Sequence, residues 1–331
     1  MRLLFSCQPS IANLDEFRVL QEAQQTEQKL RGGYYTPNDL AAFCSAWVLE
    51  SGASEIMEPS CGDGAFIEAI MGAKRPANLA FKAFEICPEE AAKARSRAQR
   101  LTFGAAKAEV TEGDFLEWAI RQLLKNCPVT DAVVGNPPFI RYQYLPPVFQ
   151  QRSEQVFEIL RLPFTKHTNA WVPFVLASIA LLKPSGRLAM VIPSEIVHVM
   201  HAAPLRSFLT RQCDRIAILD PTEIWFTDTL QGAVILLAEK AEVPTRPKGR
   251  LTILPVSGRD FAQQPAEALL RTATWQSAGA IDGKWTQAVL SVRARAFGRN
   301  PPTTGHSPAC AGGGCGRGHR HRGEQVFSRQ R

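Results

Sequence analysis

From about residue 40 to residue 240, short apolar runs bounded by turn residues alternate with stretches whose apolar positions recur at helical spacing. This alternation predicts strand-helix-strand units and a mostly parallel sheet, because each amphipathic helix must cover one face of the strands it joins. The predicted strands are SEIME (54–58), LAFKAFEI (79–86), AKAEVTEG (106–113), DAVVG (131–135), GRLAMVIP (186–193), RIAILD (215–220) and GAVILLAEK (232–240). Helices are expected between them at 64–72, 88–100, 115–125, 170–182 and 204–212, with a further one over about 14–30. The fold class is α/β.

Three stretches fall outside this rhythm. Residues 139–169 show no clear period and contain Pro146, Pro147 and Pro163, which predicts a long connection of the kind that is either functional or disordered. Over 241–290 the pattern weakens: EVPTRPKGR resembles a linker, and LTILPVSG is a strand that would start something new. Residues 291–331 contain no Leu, Ile, Met, Lys, Asp, Trp or Tyr and run into CAGGGCGRGHRHRG, so no packed core is expected there. They read as a disordered extension or as out-of-frame translation.

Charge adds less than its total implies. The net charge of +7 invites a nucleic-acid reading, yet residues 291–331 hold eight Arg and one Glu and carry all of it, leaving the preceding 290 residues neutral. Eight cysteines without regular spacing fit reduced thiols better than a disulfide framework. The N-terminal MRLLFSC is too short for a secretory apolar core, and no apolar run is long enough to span a bilayer. The expectation is a cytoplasmic chain with no membrane partner.

Candidate chemistry sits at the ends of the predicted strands. In IMEPSCGDGAFIEAI, Gly62 and Gly64 flank Asp63 between a strand and a helix, which is the form of a ligand-binding loop. Ile67 stands where the dinucleotide pattern wants a third glycine, which argues against nicotinamide or flavin. Glu85 ends the next strand, 21 residues after Gly64, where a carboxylate can accept from ribose hydroxyls. Asp114 and Phe115 follow the third strand, suited to receive an adenine amino group and to cover its ring. In Asn136-Pro137-Pro138-Phe139 two prolines remove two backbone donors, and Asn136 adds a side-chain acceptor. Two acceptors holding both hydrogens of a nucleobase amine would pull its nitrogen towards tetrahedral geometry and aim its lone pair at a methyl group. Phe139 would stack on the base, which must first leave a duplex.

In order and spacing, GGYYTP (32–37), EPSCGDGAF (58–66), Glu85, GDF (113–115) and NPPF (136–139) resemble the gamma-class amino-methyltransferases that methylate adenine N6 in DNA, the methylases of restriction-modification systems. The resemblance covers roughly residues 30–240 and implies a class I methyltransferase fold: a seven-stranded, mostly parallel sheet with one antiparallel strand, binding S-adenosylmethionine at the carboxyl ends of its strands. It further implies that Tyr35, Thr36 and Pro37 lie against the methionine end of the cofactor, cradled by the loop holding Glu58, Ser60, Gly62, Asp63 and Gly64. Glu85, Ile86, Asp114 and Phe115 would bind ribose and adenine, with Asn136, Pro137, Pro138 and Phe139 as the catalytic tetrapeptide. A second aromatic clamp on the flipped base falls at Phe226, with Trp225 as its alternative. Double-stranded DNA is the implied substrate, with a restriction endonuclease or a specificity subunit as partner.

On this reading residues 1–30 form a helical segment, 31–240 the catalytic domain, 241–290 the start of a truncated target-recognition region and 291–331 the odd tail. The same tetrapeptide occurs in methyltransferases of RNA and of protein glutamine, and a cofactor-binding remnant without turnover is a further alternative. No metal site is assigned: Cys310, Cys315, His319 and His321 lie among glycines, and His198 and His201 have no third ligand in view. Cys61 is given no role, since direct transfer to an amine needs no thiol nucleophile.

Overall fold

The computed structural model describes residues 35–102, 104–222, 232–243, 249–277 and 285–286. The predicted helix at 14–30, the clamp candidates Trp225 and Phe226, and the tail from 291 lie outside the described residues.

Among the described residues nine strands form a single sheet: β1 (Glu55–Glu58), β2 (Ala80–Glu85), β3 (Lys107–Glu112), β4 (Thr130–Gly135), β5 (Leu182–Pro193), β6 (Cys213–Pro221), β7 (Ala233–Lys240), β8 (Arg250–Val256) and β9 (Gln276–Ser277). Their order is β3-β2-β1-β4-β5-β7-β6-β8-β9. β7 runs antiparallel between β5 and β6, β9 runs antiparallel to β8, and the other pairings are parallel. The order reverses between β1 and β4, the kind of switch point where the carboxyl ends of an open α/β sheet leave a crevice for a ligand.

Helices cover both faces. The helices α1 (Asn38–Leu49), α2 (Ala65–Gly72) and α3 (Pro88–Leu101) pack on one side. On the other lie α4 (Phe115–Leu123), α5 (Pro147–Ile159), α6 (Trp171–Leu181) and α7 (Ala203–Gln212). The central strands are apolar on both sides, as burial between two helical layers requires: in β6, Ile216 and Ile218 enter one core while Ala217 and Leu219 enter the other.

Two expectations are corrected. Among the described residues the sheet has nine strands instead of seven, because LTILPV does not start a separate unit but adds to the sheet and is itself joined by β9. It pairs with β6 as β8, from Arg215↔Arg250 to Pro221↔Val256, and both its faces are wanted by the existing cores. The short helix α8 (Ala266–Thr272) then closes back on the layer of α1 and α2 through Ala266 and Leu270. The second correction concerns 139–169, which contains the 13-residue helix α5. Its prolines start the helix: Pro146 is the N-cap and Pro147 the first helical residue, where a missing N–H costs nothing. Helix α1 was also not predicted. Its sequence NDLAAFCSAWVL places buried residues on most of its circumference, so it lacks the polar face that makes a period visible.

Candidate active site

Four parallel strands, β1 to β4, end at the same edge of the sheet, so the residues that follow them converge there. Backbone bonds draw these ends together. Cys61 N–H donates to the Phe84 carbonyl (2.8 Å) and Gly113 N–H to the Glu85 carbonyl (2.8 Å).

The loop after β1 turns on glycine. Gly62 has φ +51° with open space where a Cβ would stand, so the loop presents bare backbone. Gly64 has φ +96°, and a Cβ there would lie 3.3 Å from the Ala94 backbone of α3. The first glycine therefore opens the loop, and the second lets α2 pack closely on α3.

Glu85 organises this loop from below. One carboxylate oxygen accepts from Gly62 N–H and the other from Cys87 N–H, both at 2.8 Å. Burial pushes its carboxyl above the usual range, and these amide bonds partly offset the effect. Glu58 is almost fully buried, and its Oε2 has no hydrogen-bond partner. Burial, followed by the charges of Glu85 and Asp63, holds its carboxyl well above the ordinary range. A buried acid with an unsatisfied oxygen carries a standing cost, which a ligand donor would relieve.

The catalytic motif candidate is tied to the segment at 35–37. Asn136 donates through Nδ2 to Thr36 Oγ1 (3.2 Å), and Ser60 Oγ donates to the Asn136 carbonyl (3.1 Å). Tyr35, about half exposed, donates its hydroxyl to the Glu90 carboxylate on α3 at 3.2 Å. Pro37 is the N-cap of α1 and so sets where this segment leaves the site. Pro137 is buried, while Pro138 and Phe139 are half-buried. Phe139 touches both cores, which places it at the rim where the two helical layers meet.

Other predicted residues are buried or already engaged within the chain. Phe115 is 2% exposed, enclosed by Phe84 and Phe174 at ring centroid distances of 5.6 and 5.3 Å. It forms the floor of the site and offers no ring face. The exposed apolar group at this end is Ile86, just after β2, at 65%. Asp63 turns its carboxylate to Arg97 on α3, 3.0 Å away. Asp114 caps α4 by accepting from Leu116 N–H at 2.7 Å, and its second oxygen accepts from Arg152 on α5. Arg152 and Glu90 had no signal in the sequence, because each meets from a helix surface a partner distant in the chain, Asp114 and Tyr35.

This topology, with glycine loop, strand-end acids and NPPF turn at one edge, defines a class I methyltransferase fold. The pattern of the family described as N-6 DNA Methylase matches residues 13–256, and the chain belongs to that family. Among its relatives is the Type II methyltransferase M.XhoI of Xanthomonas vasicola, 22% identical over 76% of this chain and 50% of that protein. The chain spans half the length, or less, of the first curated relatives it matches. Two solved structures share the fold. One, from Listeria monocytogenes, is described as a class I S-adenosylmethionine-dependent methyltransferase (TM-score 0.52, 18% identity, 71% of this chain and 70% of that one). The other is a type I restriction-modification methyltransferase subunit from Streptococcus thermophilus (TM-score 0.55, 16% identity, 74% and 56%). Among the described residues no helix is long and apolar enough to cross a membrane.

Proposed function

We propose that this chain is the catalytic part of a restriction-modification DNA methyltransferase, transferring a methyl group from S-adenosylmethionine to the N6 amino group of an adenine flipped out of double-stranded DNA. The observation that carries the reading is the hydrogen-bonded linkage of motifs far apart in sequence: Thr36 to Asn136 to Ser60, and Gly62 to Glu85 to Gly113.

The residues present suit such a cofactor. The open backbone at Gly62 and the orphaned Oε2 of Glu58 leave room and an unsatisfied oxygen beside the loop. Glu85 keeps lone pairs for ribose hydroxyls, Asp114 for the adenine amino group, and Ile86 offers an apolar surface to a ring. When bound, S-adenosylmethionine supplies an electrophilic methyl group. The target amine is handled by this chain's own acceptors. The Asn136 side-chain carbonyl and the Pro137 carbonyl hold its two hydrogens, direct its lone pair and stabilise the positive charge that develops on nitrogen. Phe139 stacks on the extruded base, at the rim where a base can reach it. A specificity subunit or a restriction endonuclease is the partner that this reading supplies.

The test is chromatographic detection of N6-methyladenine in duplex DNA incubated with the full chain and S-adenosylmethionine. Asn136→Ala is expected to lower the rate by roughly a hundredfold or more, the scale on which losing one aligned acceptor acts. Methyl groups found on RNA or on protein glutamine, with none on DNA, would overturn the substrate assignment.

A further inference from the structure

The proposed adenine acceptor, Asp114, has a cationic neighbour that none of the motifs supplies. Arg152 lies on α5, in the segment between the NPPF motif and α6, and its guanidinium bridges the carboxylate of Asp114, the N-cap of α4, and that of Glu117 in its first turn. Nη1 donates to Asp114 Oδ2 and Nη2 to Glu117 Oε2, both at 2.5 Å. The Asp114 side chain is 8% exposed and that of Arg152 24%, so the bond to Asp114 is shielded from water.

An aspartate carboxylate turns easily about its last bond, since that torsion has broad wells. Here both ends are held: Oδ1 by Leu116 N–H and Oδ2 by the planar fork of Arg152. Each carboxylate oxygen can accept twice, so a clamped Asp114 still offers acceptor positions, now in fixed directions. Asp114 is joined to β3 through Gly113, whose amide is bonded to the carbonyl of Glu85, so these positions stand beside the proposed ribose site. The clamp also depends on the segment leaving the catalytic motif, because Gln150 on α5 donates to the carbonyls of Tyr142 and Leu145 (3.1 and 3.0 Å).

We infer that Arg152 is a positioning residue for cofactor selectivity: by fixing the Asp114 carboxylate it makes the site demand a 6-amino group on the purine it binds. This rests on the reading of Asp114 as the adenine acceptor. A residue that merely joined α4 to α5 would affect folding or overall affinity, whereas a positioning residue affects the choice between purines.

Calorimetry on the full chain can separate the two, using S-adenosylhomocysteine and its analogue with hydrogen in place of the 6-amino group. Wild type is expected to prefer the amino form by about tenfold, the worth of one buried hydrogen bond to a charged acceptor. Arg152→Ala should weaken binding of the amino form and bring the preference close to unity, with little change for the analogue. Arg152→Lys keeps a cation but can serve only one of the two carboxylates, so an intermediate preference is expected, and this variant decides the matter if Arg152→Ala does not fold. Equal weakening of both ligands, or an unchanged preference, would overturn the inference alone. A wild type that binds both equally would overturn the reading of Asp114, and one that binds neither would overturn the cofactor assignment, with the inference failing in both cases.

Discussion

Acids at the two ends of the sheet are held by different means. At the amino ends of the parallel strands, Asp131 and Glu55 are both bonded to Lys183, and Glu239 and Glu267 face Arg187 and Arg215. The same arginines lie over aromatic rings, Arg187 4.0 Å from the ring centre of Trp47 and Arg215 5.5 Å from that of Trp275, which joins α1 to the C-terminal strands. At the carboxyl ends, Glu85 rests on backbone amides and Glu58 Oε2 on nothing, and neither forms an ion pair among the described residues. Pairing is not confined to the amino end, since Asp63 and Asp114 at the carboxyl end face Arg97 and Arg152. Glu58 and Glu85, which have no cation among the described residues, stand where the proposed cofactor would supply the donors.

Glu267 on one side and Glu58 and Glu85 on the other should therefore respond to pH in opposite directions. The Arg215 hydrogen bond holds Glu267 below the usual carboxylate range. The stability it contributes is present above that range and is lost as pH falls through its lowered value. Burial holds Glu58 and Glu85 above the range. The stability tied to their neutral forms is present below it and is lost as pH rises through their raised values.

The contrast can be broken at either end. The largest effect is expected for Glu85→Ala, which should weaken S-adenosylmethionine binding by roughly ten- to a hundredfold in calorimetry, as loss of a charged acceptor does. Unchanged affinity would remove Glu85 from the site. Next comes Glu267→Gln, expected to destabilise the fold by about 1 kcal/mol in denaturant titration, a value kept small because the group is partly exposed. Cofactor affinity should stay the same, and a loss of binding there would dissolve the distinction between the ends. The smallest effect is expected for Glu58→Gln, which should stabilise the ligand-free protein at neutral pH by about 0.5–1 kcal/mol, since a neutral amide avoids burying charge. Its melting temperature should fall less than that of wild type as pH rises, whereas parallel curves would mean that Glu58 ionises at no cost.

Legibility followed periodicity and local spacing. The seven strands from 54 to 240 and all but one of the helices between them declare themselves because strand alternation and amphipathic faces are local patterns. Helix α1 stayed hidden because it is buried on most sides, and α5 because Pro146 and Pro147 look like breakers until they are seen to occupy its start. β8 was recognised as a strand, but its place was not, since nothing local shows that it will pair with β6. Within the site, Glu85, Asn136 and Gly62 could be named from spacing, while the inward turn of Phe115 and the engagement of Asp63 by Arg97 could not.

By itself, then, the sequence determined the class of fold and the chemistry on offer: a glycine turn, strand-end acids and a proline-stiffened acceptor, each written in neighbouring residues. Only the tertiary structure decided which of these groups are already engaged. Thr36 reaches Asn136 across 100 positions of sequence, and Arg152 reaches Asp114 across 38. Such pairings follow from how the parallel strands and the helices beside them pack, because side-chain contacts depend on distance in space, which a one-dimensional pattern does not encode.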